Sequence, residues 1–268
     1  MKTLGFIGCG HMAGGILEGI LANKVLQPKQ IFIYEKLPAR AQFLKETYDI
    51  NLAEDLQRLA QKSHTIFLSV KPQDAKEVCQ QIGKYLTKNN IFVSICAGLE
   101  LATLQQWTKF DGVLARIMPN TMIKTKRGYS ALCFSSNANA DDKADVKAIT
   151  DTIGSTMELP ETLFDSFTAF SCAGPEYILL FMAALIDAGV ESGISRENAR
   201  EIVIQNVIAT GTFLSMTDKH PYQITDTMNT PAGIGIAGFH SLCTSNLHGA
   251  VMDAVQAALK RTRELGKN

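Results

Sequence analysis

The most informative segment of the sequence is Leu4-Gly5-Phe6-Ile7-Gly8-Cys9-Gly10-His11-Met12-Ala13. Its apolar start predicts a buried strand, and the stretch from Met12 onward has helical spacing. Between them, Gly8 permits a tight turn, and Gly10 would let the backbone approach a pyrophosphate closely. Ala13 is small enough for close packing of helix on strand. Glycine turns also occur in α/β folds without a ligand, but the strand–turn–helix context predicts the phosphate-binding turn of a dinucleotide-binding domain.

Short apolar runs alternate with amphipathic stretches through the first half of the chain. Runs that are apolar throughout are typical of strands buried on both faces of a parallel sheet. The repeated strand–helix order predicts a doubly wound, Rossmann-type α/β domain. The predicted strands are residues 4–7, 31–34, 66–70, 91–95, 113–118 and 129–134, with a short strand near 156–159, and the helices between them include residues 12–23, 39–48 and 73–86.

The strand signal ends near Pro160, and the remainder is predicted to be helical. We therefore expect a dinucleotide-binding domain at residues 1–160 and an all-α domain at residues 161–268. The predicted helices are residues 163–189, 196–215 and 236–265, with breaks at Pro221 and around Pro231.

The helices of the second domain are apolar around much of their circumference, as at residues 178–182. About a hundred residues can hardly cover so much apolar surface alone, which predicts a homodimer or higher homo-oligomer formed through this domain. The alternative is that these faces pack only on the first domain.

The composition argues against several classes of protein. Lys plus Arg and Asp plus Glu balance at 26 each, so no net field draws the chain to nucleic acid. The longest purely apolar run, residues 177–186, is about half the ~20 residues that a membrane span needs. The six cysteines form no Cys-x-x-Cys pair, and the five histidines lack metal-ligand spacing. We expect a reduced, cytoplasmic protein with a small-molecule substrate, no metal, and neither nucleic acid nor membrane as partner.

Glu35 ends the second predicted strand. A carboxylate there accepts hydrogen bonds from the adenosine ribose hydroxyls and repels a 2′-phosphate, which favours NADH over NADPH. The adjacent Lys36 is a cation that would receive that phosphate and soften the preference. The alternative is an exposed, solvated pair of charges.

Further candidates follow the later strands, at the carboxyl edge where open α/β sheets bind ligands. Val70-Lys71-Pro72 would place a charge near the nicotinamide ribose, and Ala97-Gly98 offers backbone without side-chain bulk. Asn120 offers an amide for a carboxamide or substrate. Each of these could be an ordinary loop, since Gly and Pro punctuate turns generally, but their shared placement favours a ligand site.

In the helical half, the segment from Asn229 to Gly238 precedes the last predicted helix. Its small residues and free N–H groups at a helix start suit a carboxylate. A plain connector between helices is the alternative.

The chain resembles the pyrroline-5-carboxylate reductase family nearly end to end. Five motifs stand in the family's order, the most specific being the loop at Pro231. They are Phe6-Ile7-Gly8-Cys9-Gly10-His11-Met12, Val70-Lys71-Pro72-Gln73, Arg116-Ile117-Met118-Pro119-Asn120-Thr121, Ala173-Gly174-Pro175-x-Tyr177, and His220-Pro221 followed by the Pro231 loop.

The resemblance implies a Rossmann domain followed by a helical domain that intertwines with a partner subunit. It also implies reduction of 1-pyrroline-5-carboxylate to proline, the last step of proline biosynthesis, with NADPH or NADH. Together with the residue arguments above, it gives the cofactor residues Gly8, Gly10, His11, Met12, Glu35, Lys36, Asn51, Val70, Lys71, Pro72, Ala97 and Gly98, and the catalytic or substrate residues Asn120, Thr230, Ala232, Gly233, Ile234 and Gly235.

The sequence departs from the family pattern at several places. The family loop Pro-Gly-Gly-Thr-Thr is here Pro231-Ala232-Gly233-Ile234-Gly235, so a threonine hydroxyl near the substrate is missing. Gly-Ser-Gly-Pro is replaced by Cys172-Ala173-Gly174-Pro175, and Met122 stands for the usual proline. Glu35-Lys36 replaces a small polar residue followed by arginine. Two alternatives therefore stay open: a related reductase of another small imine or keto acid, and a non-catalytic nucleotide-binding regulator.

Overall fold

The computed structural model describes residues 3–265 of the chain. These residues divide into two compact units, one ending at Cys172 and rejoined by the C-terminal segment from Leu259, the other being Ala173–Ala258. The first unit contains all the strands described below. The second is helical.

The first unit is built on one eight-stranded sheet with the order β3-β2-β1-β4-β5-β6-β7-β8. The strands are β1 Leu4–Ile7, β2 Ile31–Tyr34, β3 Asn51–Leu52, β4 Thr65–Leu68, β5 Ile91–Ser94, β6 Val113–Pro119, β7 Gly128–Phe134 and β8 Gly154–Glu158. Strands β2 and β3 are added on one side of β1 and the strands from β4 onward on the other, so the strand order switches between β1 and β4. Ligands of open α/β sheets bind at such a switch, outside the carboxyl ends of the strands.

All neighbouring strands are parallel except β6 and β7, which are antiparallel. The prediction of parallel strands is therefore wrong for residues 129–134. The physical reason is the short connection between Pro119 and Gly128, which holds only the 3₁₀ turn Thr121–Thr125. A parallel crossover needs a dozen or more residues.

Helices cover both faces of the sheet. They are α1 His11–Ala22, α2 Pro38–Tyr48, α3 Leu56–Lys62, α4 Pro72–Ile82, α5 Leu101–Thr108, α6 Ala140–Thr150 and the short α7 Phe164–Phe167. Alternate residues of β1 enter opposite cores: Phe6 packs with α1 and α6, and Ile7 packs with α3, α4 and α5. The two-sided core explains why the strand runs are apolar throughout, and it fixes the doubly wound architecture.

The second unit and the C-terminal end contain α8 Gly174–Glu191, α9 Arg196–Ser215, α10 Pro221–Met228, α11 Ile234–Thr244 and α12 Leu247–Leu265. The predicted helix 236–265 is wrong as a single element, because it breaks at Asn246, whose φ is +57°. Pro221 begins α10, where its fixed φ suits the first helical position.

The predicted helix 163–189 is also interrupted. After α7 the chain forms a π-helical segment, Thr168–Cys172, before α8 begins at Gly174. By length and composition alone, the run Glu161–Glu191 would suit a membrane span, with a mean hydropathy of 1.7 and 6% of that window buried. A helix whose apolar face is covered by a second protein chain has the same composition.

Apolar side chains of the second unit are mostly exposed in the single chain. Leu180 is 74% exposed and Leu179 is 59% exposed. Its buried hydrophobic residues, among those described, are Ala199, Val203 and Ile224. An apolar surface of this extent marks an interface.

Candidate dinucleotide site and substrate loop

The glycine turn joins β1 to α1 in the geometry that a phosphate site needs. Gly8 has a φ of +77°, which disfavours other residues, and its N–H donates to the carbonyl of Tyr34 at 2.8 Å. Gly10 precedes α1 without a side-chain cap, and a Cβ placed on it would meet no atom within 4 Å. The turn is therefore open at the start of α1, where the unpaired backbone donors of a helix and its dipole favour an anion.

Glu35 lies directly against this turn. Its Oε2 accepts a hydrogen bond from the backbone N–H of Cys9 at 3.0 Å, and its Oε1 accepts one from Leu37 at 3.2 Å. Each carboxylate oxygen has a further lone pair to offer. The side chain is therefore held beside the turn with acceptor capacity left for a ribose.

Arg40, in the first turn of α2, is a residue that the sequence interpretation missed. Its Nε and Nη2 donate to the carbonyl of Cys9 at 3.4 and 3.3 Å. Its guanidinium carbon lies 5.2 Å from the centre of the Phe43 ring. The signal available in the sequence was a basic residue in the first turn of the helix after the second strand. Only the tertiary structure shows that this side chain reaches back to the glycine turn.

The ends of β1, β4 and β5 are tied together by side chains. Ser69, also missed from the sequence, donates from its hydroxyl to the carbonyl of Gly8 at 2.6 Å. The thiol of Cys96 donates to the carbonyl of Val70 at 3.3 Å. These bonds hold the Val70 segment next to the glycine turn, so the structure brings these two groups of predicted cofactor residues together.

Other predicted cofactor residues also lie at the carboxyl edge. Lys71 is the N-cap of α4 and is exposed, and Pro72 begins that helix. Ala97 is exposed, and Gly98 has a φ of +74°. The loop after β5 thus presents backbone with little side-chain bulk.

Asn51 is placed differently from the other cofactor candidates. It pairs with Phe32 in the register of β3 and β2, and its side-chain amide donates to the carbonyls of Lys29 and Ile31 at 2.9 and 3.1 Å. This amide holds the start of β2. The structure does not bring it to the glycine turn.

Asn120 directly follows β6 and is 8% exposed. Its Oδ1 accepts from the backbone N–H groups of Met122 at 3.1 Å and Tyr129 at 3.3 Å. The oxygen therefore stabilises the turn into β7. The NH₂ group of the same amide is the part that remains for a ligand.

Arg116, which begins the motif that contains Asn120, has a structural role. Its Nη1 lies 2.6 Å from Oε1 of Glu161, and its guanidinium carbon lies 4.7 Å from the centre of the Phe164 ring. The same Glu161 oxygen accepts from the N–H of Leu101 at 2.8 Å. This ion pair between the buried Arg116 and the half-buried Glu161 fixes the start of α5, just after the Ala97-Gly98 loop.

The loop predicted to bind the substrate, here called the substrate loop, begins at Asn229 and leads into the start of α11 at Ile234. Gly233 is the N-cap of that helix, and its N–H donates to the carbonyl of Thr230 at 2.9 Å. Ala232 has a φ of +58°, a conformation that strains any residue with a Cβ. Ile234 is 97% exposed, and a Cβ on Gly235 would lie 3.2 Å from Oδ1 of Asn229. The loop thus presents open N–H groups at a helix start, with the polar Asn229 side chain beside Gly235.

The thiol of Cys9 lies inside the glycine turn and is fully buried. The pKa of this thiol is raised to about 12, chiefly by burial; the Arg40 charge opposes the shift, and the Glu35 carboxylate adds to it. The thiol is neutral at physiological pH and brings no negative charge to a phosphate. Residues 3–265 contain no group of three His, Cys, Asp or Glu side chains that could hold a metal ion.

Comparison with known proteins identifies the family. A pyrroline-5-carboxylate reductase of Arabidopsis thaliana is 36% identical over 267 residues, which covers 99% of this chain and 96% of that protein. The chain belongs to the pyrroline-5-carboxylate reductase family. The reductase of Escherichia coli K12 is 30% identical, covering 100% of this chain and 99% of the relative.

Domain and structure comparisons agree with the family. Residues 161–265 match "Pyrroline-5-carboxylate reductase dimerisation", and residues 3–98 match "NADP oxidoreductase coenzyme F420-dependent". The crystal structure of Plasmodium falciparum pyrroline carboxylate reductase with NADP bound superposes with a TM-score of 0.87 at 30% identity, covering 99% of this chain and 98% of that one.

These matches confirm the predicted family, the α/β fold followed by a helical dimerisation domain, and the prediction of an oxidoreductase. They also confirm a nicotinamide dinucleotide as cofactor and a homo-oligomeric assembly. The exposed apolar helices of the second unit belong to the matched dimerisation segment. The roles of individual residues and the choice between NADH and NADPH remain predictions.

Proposed function

We propose that this protein reduces 1-pyrroline-5-carboxylate to proline with a reduced nicotinamide dinucleotide. The observation that carries the proposal is the open turn at Gly10, which has the form of a pyrophosphate site in a chain that aligns end to end with these reductases. The bound dinucleotide supplies the hydride that the imine carbon receives.

The protein's own part is binding and alignment. The N–H groups at the start of α1 hold the pyrophosphate, and the backbone of Val70, Ala97 and Gly98 lines the nicotinamide half. The N–H groups at the start of α11, which follow Gly233, hold the substrate carboxylate. Holding two reactants at reacting distance supplies a large share of the barrier reduction, so no strong general base is needed.

The proton that the reaction needs does not have to come from a protein side chain. The ring nitrogen of the imine must be protonated as the carbon accepts hydride, and water can deliver that proton. The hydroxyl that the family places at position 235 is absent, which costs about 1 kcal/mol if one hydrogen bond is lost. We expect activity to persist, reduced about tenfold or less.

For the cofactor we propose a moderate preference for NADH. The Glu35 carboxylate lies at the glycine turn with acceptor capacity for two ribose hydroxyls. Close like charges near a surface repel by a few kcal/mol at an effective dielectric near ~20, which disfavours a 2′-phosphate. We also propose that the assembly is a dimer at least, and that the enzyme is cytoplasmic and binds neither nucleic acid nor membrane.

A second candidate function rests on Ile234 and Gly235. Ile234 is 97% exposed and Gly235 has no side chain beside Asn229, so the loop presents a different surface from the Thr-Thr pair of the family pattern. A related imine or keto acid would then be the preferred substrate.

Purified protein incubated with 1-pyrroline-5-carboxylate and each reduced dinucleotide tests the proposal. Cofactor oxidation and proline formation, followed together, should match in amount. A six-membered cyclic imine carboxylate and a 2-keto acid serve as competing substrates. Higher kcat/KM for either competitor would replace the proposal with the second candidate, and dinucleotide binding without any turnover would indicate a regulator.

A further inference from the structure

We infer that Arg40 is the residue that binds the 2′-phosphate of NADPH, so that it, rather than Lys36, determines how well this enzyme uses the phosphorylated cofactor. This inference rests on the proposed function, because it requires a dinucleotide at the glycine turn. It names a specificity-determining residue that neither the sequence motif nor the family match identifies.

The position of the guanidinium is the first argument. Arg40 bonds to the carbonyl of Cys9, and Glu35 bonds to the N–H of the same residue. These two backbone atoms are separated only by the N–Cα, Cα–C and C=O bonds. A carboxylate suited to ribose hydroxyls and a guanidinium suited to phosphate therefore flank one residue of the turn, which is where the 2′ position of an adenosine ribose would lie.

The donors that remain on Arg40 are the second argument. A guanidinium carries five N–H groups, and the bonds to Cys9 use Nε and one hydrogen of Nη2. Within residues 3–265, Arg40 forms no ion pair with Glu35 or any other carboxylate at 4.0 Å or less. Its Nη1 and part of Nη2 are therefore available for the paired hydrogen bonds that phosphate accepts from arginine.

The third argument is that the guanidinium is held in place. It is half-buried, it is anchored by two hydrogen bonds, and the ring of Phe43 lies 5.2 Å from its carbon. A fixed side chain loses little conformational freedom when it binds a ligand. Lys36 is exposed and has no hydrogen bond or ion pair in the described part of the chain, so binding a phosphate would cost it more side-chain entropy.

The two charges then act in opposite directions on the same ribose. Glu35 favours the free 2′-hydroxyl of NADH, while Arg40 offsets the repulsion when a phosphate is present. The enzyme is accordingly expected to use both cofactors, with NADH preferred. Loss of Arg40 should convert that preference into near exclusion of NADPH.

Calorimetric titration of the purified oligomer gives the test. Arg40→Gln is compared with the matched variant Lys36→Gln, and the titrants are NADH, NADPH, 5′-AMP and adenosine 2′,5′-bisphosphate. Arg40→Gln should raise the Kd for NADPH and for the bisphosphate about tenfold or more, because one charge-assisted hydrogen bond is lost. The Kd values for NADH and 5′-AMP should change by about twofold or less. Lys36→Gln should change all four by about twofold or less.

Equal weakening of NADH and NADPH in Arg40→Gln would overturn the inference, because it would mean that Arg40 only braces the turn. A selective loss of NADPH in Lys36→Gln would overturn it as well. If Arg40→Gln does not fold, Arg40→Lys replaces it, because lysine keeps the positive charge but lacks the paired donors of a guanidinium. Arg40→Lys should still weaken the binding of NADPH more than that of NADH. Equal weakening of both would count against the inference. Failure of the unaltered protein to bind either dinucleotide would instead refute the proposed function.

Discussion

The backbone N–H of Cys9 donates a 3.0 Å hydrogen bond to Oε2 of Glu35. One carboxylate thus ties the end of β2 to the glycine turn, and it is the same carboxylate that we propose to accept hydrogen bonds from the ribose. The structural role of Glu35 is measured by how much a substitution lowers the stability of the protein. Its proposed role in recognition is measured by how the substitution changes the preference for NADH over NADPH.

Replacing Glu35 with serine should shift the enzyme toward NADPH. The substitution removes the charge that repels a 2′-phosphate and leaves Arg40 unopposed. We expect the ratio of kcat/KM with NADH to kcat/KM with NADPH to fall about tenfold, with a stability loss of about 1 kcal/mol from the lost bond to Cys9. Glu77→Ser, on the exposed surface of α4, should change neither quantity. An unchanged ratio in Glu35→Ser would mean that the carboxylate does not face the ribose.

Gly10→Val should abolish dinucleotide binding without unfolding the protein. A Cβ at this position meets no atom within 4 Å, so the side chain fits the empty protein but occupies the space of the pyrophosphate. Gly8→Ala is the contrasting variant, because its φ of +77° and a Cβ 3.1 Å from the carbonyl of Ser69 make it costly to the fold by about 1 kcal/mol or more. Thermal unfolding and a cofactor titration measure both. Parental NADH affinity in a folded Gly10→Val would show that the phosphate lies elsewhere.

The buried Cys9 thiol predicts a loss of stability at alkaline pH. Its pKa is raised to about 12 in the folded protein from an ordinary value of 9.0, chiefly by burial. Below pH 9 the thiol is protonated in both states, and its contribution is fully present. Between pH 9 and 12 the unfolded chain releases the proton first, so stability falls as pH rises, by about 1.4 kcal/mol at pH 10 for one thiol.

Urea unfolding at pH 8 and pH 10, at one protein concentration, measures this loss. Cys9→Ala should lose about 1.4 kcal/mol less than the unaltered protein between the two pH values. Comparing the two losses, rather than absolute stabilities, removes the cost of the smaller side chain. Identical losses in both proteins would show that Cys9 ionises normally in the folded state.

Leu180→Asp should weaken the dimer. This side chain is 74% exposed in the single chain, lies in α8, and belongs to the matched dimerisation segment. A charge placed in an apolar interface has to be desolvated, which costs several kcal/mol. Leu37→Asp is the control, because Leu37 is 65% exposed but lies outside that segment. Sedimentation at micromolar concentration should show dissociation only for Leu180→Asp; dissociation of both variants, or of neither, would contradict the assignment of this face.

The sequence was informative wherever local pattern and tertiary structure agree. β1 and β2 were predicted with the bounds that the structure shows, because short apolar runs beside a glycine turn leave few alternatives. β3, with two residues, was too short to produce a periodic signal. The direction of β7 was set by the length of one connection, and the break at Asn246 by a single residue with positive φ.

The candidate site residues divide in the same way, into those that local sequence suggests and those that depend on the tertiary fold. Glycines, Glu35 and the residues after each strand were proposed as cofactor residues from the sequence, because the carboxyl edge of an α/β sheet collects them. Arg40 was not, since its contact with Cys9 spans 31 positions and depends on how α2 packs beside the turn. Asn51, assigned by family resemblance, donates hydrogen bonds at the start of β2, and its role toward the cofactor stays a prediction.

The most direct measurement follows the transferred hydrogen itself. NADH carrying deuterium at the transferable C4 position is mixed with 1-pyrroline-5-carboxylate and the enzyme, and the product is analysed by mass spectrometry and NMR. The account predicts proline with a single deuterium at C5, the former imine carbon, in an amount equal to the NADH oxidised. Oxidised cofactor without deuterium in proline, or no proline at all, would contradict it.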